Sequence, residues 1–237
     1  MKNKNAFEFL HGLELFLNSC IPCPEDMVDQ ILSIVDQSKE NEDTHKRFPE
    51  GALLNEFITP NIHRYLIEKC GLSEEQACKA VLSESFRNLS GIASASPSRL
   101  EPHPFQKIVG VKPKDIIATW RGEKKTQPIT RSCPDMALRY PSPHTVIFEG
   151  KYFPSGGMNA AETALITDLY QAFFYLGLSP HPETETHPAW EYEYSCLIAY
   201  DASEKSSLKE SWLALDTAVK KAFWNGANIY VMILSGG

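Results

Sequence analysis

A chain of 237 residues, 43% of them hydrophobic, is long enough to bury one large core or a core with a helical subdomain. Its 23 Lys and Arg stand against 30 Asp and Glu, and a formal net charge of −7 argues against a nucleic-acid binder that uses its whole surface. No apolar run reaches membrane-spanning length, and the charge-broken amphipathic start does not read as a signal peptide. A cytoplasmic protein with reduced thiols and no membrane partner is the expectation.

In chain order, apolar periodicity predicts helices over residues 6–17, 26–35, 53–58 and 60–70, with Thr59-Pro60 as an N-cap followed by proline at the first helical position. Gly71 closes the last of these, and Ser73-Glu74-Glu75-Gln76 opens a further helix reaching about residue 89. Residues 90–104 are small and proline-rich, a linker or surface loop. Residues 107–111 and 115–120 then read as strand material, and 133–139 and 145–153 as two more strands. Asn159, with Glu162 three residues on, opens a helix that Gly177 and Pro180 end. A strand over 194–200, a helix over 207–224 and a strand over 228–234 complete the order. These elements predict an α/β chain with a mixed sheet and helices on both faces. An N-terminal helical region over 1–92 and a core over 106–237 are expected.

Two features stand out from this background. Residues 101–151 carry +4 within a chain whose remainder carries −11, which suggests one localised anionic partner. Cys20 and Cys23 form a C-x-x-C, but Cys70 and Cys78 follow at irregular spacing with no adjacent His. Helical core and loop thiols are therefore expected rather than a metal or redox centre.

Residues 133–153 raise a sharper question, because an apolar, β-branched stretch carries Asp135, Glu149 and Lys151. Pro141-Ser142-Pro143 is a turn between two strands, and an antiparallel hairpin centred near Ser142 pairs Asp135 with Glu149. Directly opposed residues share a face with Cβ atoms about 5 Å apart. Alternation puts Glu149 and Lys151 on one face and Phe148, Gly150 and Tyr152 on the other. Two carboxylates held that close repel by several kcal/mol unless a positive charge lies between them. Lys151 offsets part of this repulsion. A divalent cation offsets more, and two carboxylates with a backbone carbonyl, here that of Gly150, suit Mg2+. Such a cation polarises a phosphate and acidifies a water that Lys151 can orient or deprotonate.

Pro134-Asp135, a gap, then Glu149-Gly150-Lys151 on a hydrophobic strand resembles the PD-(D/E)XK nuclease superfamily, whose core is an α-β-β-β-α-β unit. Gln171 and Tyr175 form the Q-x-x-x-Y of its RecB-type and lambda-exonuclease-like branches, and lie one helical turn apart. Leu165, Leu169, Ala172, Phe173 and Leu176 form the opposite stripe, expected to pack on the sheet. The resemblance spans residues 73–200 and implies a restriction-endonuclease-like fold. It further implies that Asp135 and Glu149 hold Mg2+ (or Mn2+), Lys151 handles the attacking water, and Gln171 and Tyr175 contact metal water or phosphate. Many members add an acidic residue from an earlier helix, and Glu56 is preferred here over Glu68 and Glu84. DNA is then the expected partner, with Arg121, Lys124, Lys125, Arg131 and Arg139 against its phosphates. A restriction-type endonuclease, possible as a homodimer, is expected first. A RecB-type exonuclease or a structure-specific repair nuclease comes next, and a catalytically silent DNA-binding or protein-interaction module on the same fold comes last.

Overall fold

The computed structural model describes residues 2–40, 48–82, 135–140, 146–153, 169, 172, 194–202, 207–214 and 223–236. Helices α1 (Lys2–Cys20) and α2 (Pro24–Glu40) follow the expected periodicities and run beyond them at both ends. Glu25 and Asp26 lie in the first turn of α2 and Lys39 in its last, each favourable to the helix dipole. Helix α3 (Pro49–Ala52) widens into a π-helix (Leu53–Ile58), which continues directly into α4 (Thr59–Glu68). Thr59 is therefore not an N-cap, as the sequence suggested. Its backbone is helical and its amide donates to the Leu54 carbonyl five residues back. A proline inside an α-helix clashes with the carbonyl four residues earlier, and the wider π turn relieves that clash at Pro60.

Gly71 adopts a positive φ of 72° where α4 ends, as expected of a glycine stop. Ser73 and Gln76 form the predicted capping box and open α5 (Glu74–Ala80). The helix stops there rather than near residue 89. Val81 is extended (φ −96°, ψ 124°), and Val81–Leu82 forms strand β1. Pairing with Leu138 and Ala137 outweighs local helix propensity at these two residues.

Strands β2 (Met136–Leu138), β3 (Val146–Phe153), β4 (Tyr194–Asp201) and β5 (Ile229–Leu234) complete a five-stranded sheet in the order β1-β2-β3-β4-β5. Strand β2 is antiparallel to both β1 and β3, while β4 runs parallel to both β3 and β5. The architecture is thus α+β with a mixed sheet and helices. One sheet face, carrying Met136, Phe148, Cys196, Ile198, Tyr200 and Met232, joins α1, α2, the π-helix and α4 in a single hydrophobic cluster. Glycine at 150 lets this contact close, because a Cβ there would come within 2.7 Å of the Leu54 side chain.

Helix α6 (Ser207–Ala214) packs against β4 and β5. Asp201, buried at the end of β4, accepts the amides of Leu208 and Lys209 at 2.9 and 3.1 Å. Those amides are first-turn donors with no partner inside their own helix, and the carboxylate supplies one.

Among the described strands β5 lies at one end of the sheet, and α1 seals part of its outer edge. Glu14 accepts the Ile233 amide (3.2 Å), while Asn18 donates to the Ile233 carbonyl (3.3 Å) and accepts the Ser235 amide (3.1 Å). Side chains thereby do what a sixth strand would do for an open edge. No described helix is long and apolar enough to cross a membrane. Cys20, Cys23, Cys70, Cys78 and Cys196 are free thiols.

Candidate functional site

The ladder between β2 and β3 pairs Met136 with Phe148, Ala137 with Ile147 and Leu138 with Val146. These three pairs have the register that the hairpin expectation required, and Asp135, a bend residue, immediately precedes the last of them. Because Gly150 faces Leu54, the neighbouring Glu149 and Lys151 point to the other face of the sheet. Leu197 and Ala199 of β4 are their lateral neighbours, and both are buried.

Glu149 is only 4% exposed. The Lys151 ammonium lies 2.7 Å from Glu149 Oε1, so the expected compensation of charge on this face is made. Lys151 keeps 21% of its side chain accessible and forms the solvent side of the pair. Asp135, half-buried, accepts the Gly150 amide on Oδ2 at 3.0 Å. In a strand, the N–H and C=O of one residue point to the same edge. The Gly150 carbonyl is therefore directed towards the Asp135 side of β3. A carboxylate has about four acceptor positions, so an amide and a cation can share one.

Two carboxylates from adjacent strands and one carbonyl make an all-oxygen set. It fits Mg2+, which takes one or two carboxylates and keeps several waters. Mn2+ accepts the same ligands. Among the described residues, no group of three or more His, Cys, Asp and Glu could hold a metal ion.

Other predicted residues lie further off. Glu56 is exposed on the π-helix, about half a turn from Leu54, so it points away from the sheet and from the Asp135–Glu149 pair. Arg139 follows β2 on the face of Asp135, about 13 Å along the chain at ~3.3 Å per residue. Its amide donates to the Ala80 carbonyl, and burial lowers the pKa of its guanidinium. Gln171, Tyr175, Arg121, Lys124, Lys125 and Arg131 lie outside the described residues, as do the strands expected over 107–111 and 115–120. Leu169 and Ala172, from the stripe expected to pack on the sheet, are helical and buried.

Asp201 was not anticipated. It occupies the same sheet face as Glu149 and Lys151, opposite Phe153, near the carboxyl ends of β3 and β4. An acidic residue closing an apolar strand and followed by a Ser-rich helix start was the only local signal. Ser195, also on this face, is fully buried, and its hydroxyl has no hydrogen-bond partner among the described residues.

The arrangement therefore offers an acceptor pair for a hard cation, with an ammonium beside it and a largely apolar surround. No family model, no curated protein and no solved structure matches the chain.

Proposed function

We propose that this chain is a Mg2+-dependent deoxyribonuclease of the PD-(D/E)XK type, most simply a restriction-type endonuclease. One observation carries the proposal: the β2–β3 register, continued one residue past its last pair, would bring Asp135 opposite Glu149, with Lys151 on the face of Glu149. An ion pair in a sheet needs only one carboxylate and one cation. The second carboxylate, one residue beyond the ladder and bound to the Gly150 amide, would give the set an excess of acceptors that a divalent cation balances. The described elements are compatible with that reading, since α5, β1, β2, β3 and β4 come in this chain order and Leu169 and Ala172, between β3 and β4, are helical.

In this mechanism Asp135, Glu149 and the Gly150 carbonyl would hold Mg2+. When bound, the ion supplies Lewis acidity toward a scissile phosphate and lowers the pKa of a coordinated water. Lys151 lies within hydrogen-bond reach of Glu149 and can orient the attacking water or take part in its deprotonation. The apolar neighbours Leu197 and Ala199 keep bulk water from screening these charges.

A second proposal, a non-cleaving DNA-binding module, draws on the same contacts. The Gly150 amide on Asp135 would tie the start of β2 to β3, and the Lys151–Glu149 pair would offset the buried charge, without any metal. Plasmid cleavage with and without Mg2+, alongside Asp135→Ala, separates the two. Metal-dependent nicking that the variant loses supports the nuclease. DNA that shifts in a gel yet stays intact with Mg2+ or Mn2+ overturns it in favour of the module. Use of linear but not circular DNA would move the assignment to an end-directed enzyme.

A further inference from the structure

Far from this pair in the strand order, a cavity of about 420 Å3 opens where the outer edge of β5 runs between α1 and α6. Small-molecule sites occupy about 300–1,000 Å3, so the space suits a compact ligand. Its walls are aromatic, with Phe7 from α1, Trp212 from α6, and Trp224 just before β5. Trp224 is held in place from behind, stacked on Tyr194 at 5.1 Å and 12°. Phe7 meets Trp224 edge-on at 5.4 Å. A pre-set aromatic wall of this kind favours a flat ring.

The polar groups determine what that ring should carry. Glu14 already accepts the Tyr230 hydroxyl on Oε2 (2.7 Å) and the Ile233 amide on Oε1 (3.2 Å). Its acceptor oxygens are thus supplied with donors from within the protein. The donors facing the cavity are less committed. Lys209 gives one of its three N–H groups to Ser235 Oγ (2.9 Å), and His11 is 55% exposed with Nδ1 at 3.3 Å from the Tyr230 hydroxyl. Asn18, also on the wall, is held by the β5 backbone, so an ammonium and an imidazole, both of which also face the Glu14 charge, are the groups left to meet an anion.

We propose that this cavity binds a planar aromatic molecule bearing one anionic group, with the ring against Phe7, Trp212 and Trp224 and the anion on Lys209. The anion could be the carboxylate of an aromatic acid or the phosphate of a mononucleotide. The two share the chemistry that the site recognises.

Trp212 and Trp224 provide an intrinsic fluorescence readout that needs neither metal nor DNA cleavage. The full chain is titrated with 2-naphthoate and with adenosine monophosphate, and in parallel with their uncharged counterparts, 2-naphthylmethanol and adenosine. The expected result is a saturable change with at least one anion, at least ~10-fold weaker for its uncharged counterpart and for Lys209→Met. Lys209→Arg, which keeps the charge, should retain binding. Saturation by naphthoate alone identifies an aromatic acid, and saturation by the nucleotide alone identifies a nucleotide. No saturation by either anion overturns the proposal, as does equal affinity for charged and uncharged pairs or an unaffected Lys209→Met. Because the assay uses the metal-free chain, its failure leaves the Asp135–Glu149–Lys151 proposal standing.

Discussion

Replacing Gly150 with alanine adds a methyl carbon that would lie 2.7 Å from two carbons of Leu54 and 2.8 Å from a third. Non-bonded carbons prefer about 3.5–4.0 Å, so one side must yield by about 1 Å. Leu54 is only 4% exposed, and its Cγ is among the crowded atoms, so a change at the chain tip alone does not relieve the contact. Overpacking of this kind costs about 1–3 kcal/mol. Removing a strand glycine returns at most about 1 kcal/mol of backbone entropy. A net loss of about 1–2 kcal/mol is expected for Gly150→Ala. Leu54→Ala alone should cost about 2–5 kcal/mol through the cavity it leaves.

The decisive comparison is the double variant, in which the new methyl enters the space that Leu54 vacates. Its cost should fall below the sum of the single costs by about 1–2 kcal/mol, a coupling expected only of side chains in contact. Urea unfolding of the four proteins, extrapolated linearly to water, measures this directly. A Gly150→Ala variant that unfolds at the wild-type midpoint, or costs that add to within about 0.3 kcal/mol, would refute the close approach of the π-helix to β3. Residue 150 also separates Glu149 from Lys151. A strand displacement near 1 Å should lower cleavage about 10²-fold at temperatures where the variant is still folded, and the double variant should recover much of it.

The remaining predictions test other contacts. Asp201→Ala should cost about 1–2 kcal/mol by removing the acceptor for the Leu208 and Lys209 amides, and Asp201→Asn should cost less because an oxygen remains; equal midpoints for all three proteins would exclude the anchoring role. Burial raises the Glu14 carboxyl above its ordinary 4.5, an effect that the Tyr230 hydroxyl and the Ile233 amide only partly oppose. A raised folded pKa means stability that is complete below the unfolded value and lost as pH climbs through the folded one. Glu14→Gln, which cannot ionise, should therefore gain on the wild type as pH rises from about 4.5 towards neutrality; parallel stability profiles would contradict this. Lys151→Met removes the ammonium from a buried carboxylate and should cost about 1–3 kcal/mol, below the range for fully buried pairs because Lys151 is 21% exposed. Adding Glu149→Gln should restore most of that loss. Lys151→Ala should still bind DNA while cutting at least ~10²-fold more slowly, and unchanged turnover would remove Lys151 from the mechanism.

What could be seen in the sequence was local or had a strict period. The two-residue alternation of a strand leaves little choice of register once a turn near Ser142 is expected, so the pairing of Met136 with Phe148 and of Leu138 with Val146 was legible. The capping box at Ser73 and the stop at Gly71 were legible for the same reason, each being a backbone demand met by one or two nearby side chains. Strand β1 was not. Val81 and Leu82 follow a helix without a break signal, and only their partners on β2, more than fifty residues later, make them extended. Nor was the sealing of the β5 edge, since Glu14 and Tyr230 are 216 residues apart and nothing near either one announces the other. The steric demand of Leu54 on Gly150 escaped for the same reason, because a glycine in a strand can mark a bulge, a bend or a close neighbour.

Asp135 serves two purposes that a single substitution can separate. Its Oδ2 accepts the Gly150 amide, which helps to fix the end of the β2–β3 ladder, and its charge is what a bound cation would require. Alanine removes both, so an inactive Asp135→Ala could reflect a frayed hairpin. Asparagine keeps an acceptor oxygen and removes only the charge. Asp135→Asn should therefore retain the wild-type urea midpoint within about 0.5 kcal/mol while losing Mg2+-dependent cleavage by at least ~10²-fold. If it cleaves DNA as well as the wild type, Asp135 is a strand terminus and nothing more, and the cation would have only Glu149 and a carbonyl to bind. If instead it unfolds like the alanine variant, the charge itself holds the hairpin, and the excess of acceptors would have to be balanced within the chain rather than by a metal.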